Sequence, residues 1–177
     1  MPIIKTVPPE VASGAVARVY DAMQAAIGFV PNGLQALSSS PHCLTAQADH
    51  IRYYMGHPTL PGPMLAAIRY LVAGHTDCAY CVGINLGMLM QMGIDRDALI
   101  AARADIELLP FAERDKAMVR LALQVVRDGH SLTGADLDAV RALGWSDQEI
   151  IEVIDHATHA VALDMLLNAV QVEAEGM

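Results

Sequence analysis

The sequence predicts an all-α protein, and three observations carry that prediction. The 177-residue chain is 54% hydrophobic but only 5% aromatic, so its core is built from Ala, Leu, Ile, Val and Met rather than large rings. Ala and the straight-chain residues favour helix. Apolar residues recur at helical spacing, as in Val11, Ala15, Val19, Ala22, Met23 and Ala26. Glycine and proline fall where such runs end, at Gly28, Gly56, Gly74, Gly93 and Gly144. The length suits a single helical domain, with an N-terminal extension over about 1–55, a core over about 60–104 and C-terminal helices over about 110–175.

Each element has a local reason. The first helix is expected over Val11–Ile27, after Pro8-Pro9-Glu10, and a short one over Gly33–Leu37. A third follows over Pro41–Met55, with proline in the tolerated first turn. Three prolines and two glycines between Gly56 and Pro63 forbid regular structure. Met64–Ala73 is apolar nearly all round except for Arg69, which predicts a central helix. Thr76 or Asp77 is placed to cap the next helix, Cys78–Met92. Helices over Arg96–Arg103, Pro110–Arg127 and Thr133–Leu143 follow, and a Ser146/Glu149 capping box opens a last one running to Glu173.

A repeat is visible at a spacing of 51: Met92-Gly93-Ile94-Asp95 aligns with Leu143-Gly144-Trp145-Ser146, and Arg69 with Arg120. Leu65–Ile100 and Lys116–Ile151 therefore read as two copies of one helical hairpin. The second copy has Gly129 and Leu132 where the first has Cys78 and Cys81. A hairpin of this kind does not require the cysteines, which strengthens a chemical reading of them.

Charge and cysteine usage exclude several classes. Net charge is −9, and the 11 basic residues are scattered, so neither nucleic acid nor an anionic membrane surface is an expected partner. Three cysteines are too few for a secreted disulfide scaffold. The chain start lacks a signal-peptide pattern, and no apolar run is long enough to span a bilayer. A cytoplasmic protein is expected, and its high apolar content points to a homo-oligomer.

The chemistry centres on His75-Thr76-Asp77-Cys78-Ala79-Tyr80-Cys81. Residues three apart share a helix face. Cys78 falls in the first turn, where free N–H groups and the helix dipole favour a thiolate. Such a pair can form a sulfenic acid and resolve it as a disulfide, or exchange disulfides. The plain alternative is two small buried apolar residues.

The run from Leu65 through Gly93 resembles the core of the alkylhydroperoxidase D / carboxymuconolactone decarboxylase family. Phe29-Val30-Pro31-Asn32, Ser40-Pro41, Glu113-Arg114, Leu132-Thr133-Gly134-Ala135-Asp136, Leu143-Gly144-Trp145-Ser146 and Leu167-Asn168-Ala169 extend the likeness to its peroxidase-related branch. The resemblance implies an AhpD-like fold of about eight helices, homo-oligomers and reduction of a small-molecule peroxide, regenerated by a thiol or disulfide electron donor. No cofactor and no resident metal are expected. It makes Cys81 the attacking sulfur and Cys78 the resolving one.

Two positions depart from the family pattern. A glutamate usually stands twelve residues before the first cysteine, and a histidine four after the second; here these are Ala66 and Asn85. Together they are the family's proton relay. Asn85 can orient a water but exchanges no proton near neutral pH. His75, three residues before Cys78, is the nearest alternative base, with His50, His57, His156 and His159 as further candidates. His75, Cys78 and Cys81, completed by His156 or His159, would make a metal site, the main rival chemistry. A ligand-binding member without activity and a lactone decarboxylase are the other readings. Cys43 reads as structural.

Overall fold

Prolines, glycines and short polar side chains set the helix ends. In the computed structural model, which describes residues 2–175, nine α-helices and no strands occur among the described residues. They are α1 (Gly14–Ile27), α2 (Asn32–Leu37), α3 (Pro41–Met55), α4 (Gly62–His75), α5 (Ala79–Gln91), α6 (Arg96–Ala102), α7 (Glu113–Asp128), α8 (Gly134–Ala142) and α9 (Asp147–Ala169). No helix is long and apolar enough to cross a membrane.

Four boundaries differ from the expected ones. α4 begins at Gly62, with Pro63 tolerated in its first turn, and runs through Gly74 to His75, so the loop from Gly56 is shorter than expected and Gly74 does not end the helix. Pro9–Val11 form a single 3-10 turn, and α1 proper begins at Gly14. α7 starts at Glu113 rather than Pro110, because Leu109 and Ala112 are both extended; a residue before proline is pushed out of the helical region. α9 stops at Ala169 rather than Glu173, where Gln171 takes a left-handed φ of 56°.

The chain forms two compact units. One runs to His57 and includes the stretch from Leu166 onward. In it α1 and α2 pack on α3 around Val16, Tyr20, Leu34, Leu37 and Leu44. Its N-terminal strand of coil is pinned by Val7 N–H donating to Ser38 Oγ at 2.7 Å and Tyr20 Oη–H donating to Val7 O at 2.9 Å.

The other unit, Pro58–Met165, holds the cysteine pair. α4 is its centre, as its composition predicts: Met64, Leu65, Ala66, Ala67, Ile68, Tyr70, Val72 and Ala73 are buried, against α5 on one side and α7 on another. Each fully buried large aliphatic side chain contributes roughly 1.5–3 kcal/mol. α9 presents the stripe Val153, Ala157, Ala160 and Asp164 to the interior, the spacing of one helical face.

The repeat is borne out in the backbone. The starts of α4 and α7, the ends of α5 and α8, and the starts of α6 and α9 are each 51 residues apart. Gly93 and Gly144 both take left-handed φ values, 84° and 89°. Ile94 N–H donates to Leu89 O at 3.1 Å, and Trp145 N–H to Val140 O at 3.3 Å. Both bonds close a helix through a glycine, the Schellman arrangement. Asp95 then caps α6, and the Ser146/Glu149 box precedes α9.

Candidate active site

The cysteine pair is set by how α4 ends. Thr76 N–H donates to Val72 O at 2.9 Å and Cys78 N–H to Ala73 O at 3.0 Å, with Asp77 between them at a left-handed φ of 52°. This is again a Schellman closure, here through aspartate. Neither Thr76 nor Asp77 therefore caps α5. Asp77 is spent on the turn, and Cys78 itself is the N-cap, its Sγ accepting from Cys81 N–H at 3.3 Å. Thr76 turns away: its Oγ1–H donates to Asp164 Oδ2 at 2.7 Å.

Asp164, from α9, completes the group. The sulfurs of Cys78 and Cys81 and a carboxylate oxygen of Asp164 lie within 4.8 Å of one another. All three residues are buried, at 0%, 4% and 3% exposure, and both cysteines are free thiols. Their protonation is interdependent. The Cys81 side chain, donating to the Cys78 sulfur, is the main influence holding the Cys78 thiol below its usual range, with the Cys81 backbone N–H assisting against burial and Asp164. Cys81 is pushed far up, first by its bond to Cys78, then by burial and by Asp164. Burial raises the Asp164 carboxyl, offset in part by bonds from Cys81 and Thr76. Of the two sulfurs Cys78 is therefore the one favoured as a thiolate, and the Cys81 thiol the one held protonated.

The other expected residues lie elsewhere. His75 is exposed at the end of α4 and lines a cavity of about 430 Å³ with Arg103 and Arg127. Among the described residues no hydrogen bond joins it to either sulfur. Asn85 is buried one turn beyond Cys81 but is bound on both ends: Nδ2 donates to Cys81 O at 2.8 Å, and Oδ1 accepts from Arg69 Nε at 2.8 Å. His156, buried on α9, sits 3.2 Å from Arg69 Nη1 and 3.3 Å from Leu65 O through Nε2. Ala66 is fully buried in the α4 core. His159 is half-buried, and burial lowers its pKa. His50 and His57 join Tyr53 and Tyr54 in an aromatic group of the first unit. Cys43 is exposed in the first turn of α3.

Asp164 was the residue sequence reasoning missed. Its signal was a lone acid inside Val161-Ala162-Leu163-Asp164-Met165-Leu166-Leu167, on the apolar stripe of α9. A carboxylate there must be paired or protonated. The donor set that can hold a soft divalent cation is therefore Cys78, Cys81 and Asp164, with no histidine in it.

Comparison with solved structures places the fold. An uncharacterized peroxidase-related protein from Ralstonia eutropha JMP134, described as an alkylhydroperoxidase AhpD core, superposes with a TM-score of 0.87 at 18% identity, covering 98% of this chain and 92% of that one. A peroxidase-related protein from Silicibacter sp. TM1040 gives 0.83 at 19%, covering 99% and 90%. The debrominase Bmp8, in complex with 2,3,4-tribromopyrrole, gives 0.80 at 16%, covering 98% and 92%. No family model and no curated protein matches the chain. The chain has the all-helical AhpD-like fold, in line with its sequence resemblance. Proteins of this fold include peroxidase-related chains and a debrominase, so the fold alone does not fix the reaction.

Proposed function

We propose that this chain is a thiol-dependent peroxide reductase working through Cys78, Cys81 and Asp164. The observation that carries the reading is the convergence of two thiols and one carboxylate within 4.8 Å. It supplies a thiolate, a resolving thiol and a proton-exchanging group without the residues that are missing at Ala66 and Asn85.

The geometry supports a reversal of the roles implied by the resemblance. Cys78 is the sulfur favoured as the thiolate, because the Cys81 N–H and thiol both donate to it. Its sulfur attacks the terminal peroxide oxygen; the O–O bond breaks, and an S–O bond forms as sulfenic acid. The departing alkoxide takes the Cys81 proton and leaves as the alcohol. The Cys81 thiolate then attacks the Cys78 sulfur, forming the disulfide. Asp164, left as a carboxylate once the Cys81 proton has gone, takes up a proton from solvent and passes it to the departing hydroxide, which leaves as water. The peroxide is reduced by two electrons and the dithiol oxidised by two. An external dithiol returns the pair to its reduced state. Such proton transfer by a placed carboxyl is worth about 10²–10⁴-fold.

The test is thiol titration. One equivalent of hydrogen or alkyl peroxide should lower the free thiols from three to one, with Cys43 the survivor. Unchanged thiols after peroxide would end this reading. The apolar residues left exposed on this unit, Met90, Met92 and Ile151 among them, support the homo-oligomer expected from composition, to be measured by sedimentation.

A further inference from the structure

Arg69 is a cation in the interior with no anion to meet it. It projects from the apolar helix α4, between fully buried Ile68 and Tyr70. No guanidinium nitrogen faces a carboxylate: Nε donates to Asn85 Oδ1 at 2.8 Å, Nη1 lies 3.2 Å from His156 Nε2, and Nη2 lies 3.9 Å from Met88 Sδ. Among the described residues no carboxylate pairs with it. Its repeat counterpart shows the contrast, for Arg120 is paired with both Glu107 and Glu113.

Buried charge without a counter-ion is costly, and arginine in that setting is almost always paired. Burial lowers the Arg69 pKa to about 10, so it stays charged at neutral pH. A guanidinium has five N–H donors, and the three contacts leave donors to spare. The residue as a whole is half-buried rather than sealed. Its place relative to the sulfurs is fixed by Asn85, which bonds Arg69 with one end of its amide and the Cys81 carbonyl with the other. The guanidinium therefore stands about one helical turn along α5 from Cys81.

We infer that Arg69 is the specificity-determining residue of this site and that the substrate is an organic hydroperoxide bearing a carboxylate, whose anionic end pairs with Arg69 while the peroxide end reaches the thiols. The inference rests on the peroxidase reading for its reaction and on the Arg69 environment for its anion. Arginine forks match carboxylates bidentately, and apolar Met88 and Leu65 beside it suit a short carbon chain. Asn85 holds the fork in place and is a positioning residue.

Binding of hexanoate, which has no peroxide to reduce, separates the two ideas. Isothermal calorimetry of the full chain should show hexanoate binding, weakened at least tenfold in Arg69→Met and retained in part in Arg69→Lys. Asn85→Asp gives Arg69 an internal counter-ion: it should abolish hexanoate binding while raising the Tm, a pairing of effects that a disturbed fold cannot produce. In kinetics, Arg69→Met should raise KM for a carboxylated hydroperoxide about tenfold more than KM for cumene hydroperoxide. No hexanoate binding to the wild type, or equal binding in wild type and Asn85→Asp, overturns the inference. Hexanoate binding with the expected variant pattern, but no thiol loss with any peroxide, upholds the anion site and overturns the peroxidase reading instead.

Discussion

Thr76 Oγ1 donates to Asp164 Oδ2 across 2.7 Å, joining the turn that carries the cysteines to the far helix that carries the acid. Among the described residues the bond is the one polar side-chain tie of Asp164 besides the thiol. Thr76→Val keeps the shape and removes the hydroxyl. We expect a loss of about 1–3 kcal/mol in stability, the cost of stranding a buried acceptor, and slower peroxide-driven thiol loss, with Thr76→Ser restoring both. Chemical denaturation and stopped-flow thiol assays measure the two effects.

The two cysteines should separate cleanly by trapping. In Cys81→Ser the Cys78 sulfenic acid has no partner to resolve it, so dimedone should label the protein after peroxide. In Cys78→Ser no label should form. Mass spectrometry reads the adduct. The opposite pattern would return the attacking role to Cys81, as the family resemblance implies.

Asp164 gives a pH signature. Its carboxyl is raised in the fold by burial, so the folded state binds more protons than the unfolded chain between the ordinary aspartate value of about 3.9 and the raised value. The native state therefore loses stability as pH rises through that window, and the loss persists above it. Asp164→Asn removes the titrating group while keeping an acceptor for Thr76. Its Tm should exceed that of the wild type at pH 8 by more than at pH 4, while peroxide reduction falls about 10²-fold or more. A Tm difference independent of pH would contradict the assignment.

The fold itself has a sharp probe in Trp145. Its Nε1–H donates to Arg114 O at 3.0 Å, its ring lies 3.8 Å from the Arg114 guanidinium, and it is buried. Trp145→Phe should cost about 0.5–1.5 kcal/mol by deleting the indole hydrogen bond, or roughly 2–4 °C per kcal/mol for a chain of this size, without altering the thiol chemistry. Calorimetry and thiol titration test the pair of claims.

The helices were legible because each is written locally. The apolar run of α4 announces a central helix, and the Ser146/Glu149 box announces α9. The repeat was legible because its turns reuse glycine and a capping side chain at one spacing. What could not be read was pairing across the chain. Asp164 meets Cys81 from more than eighty residues away, and no local pattern says which acid faces which thiol. His75 illustrates the converse: it is close to Cys78 in sequence, yet the left-handed turn at Asp77 sends the chain into α5 while His75 stays on the surface. The departures at Ala66 and Asn85 were visible; the packing of Arg69 and His156 around Asn85 was not, since it depends on where α9 lies against α4.

The paired hairpins separate architecture from chemistry within one polypeptide. Each closes through a left-handed glycine, Gly93 in one and Gly144 in the other, but the position of Cys78 in the first is held by Gly129 in the second. The second hairpin is thus a built-in control: it reaches the same closing turn with no sulfur in it, so replacing the cysteines of the first should change its reactivity and leave its helices standing.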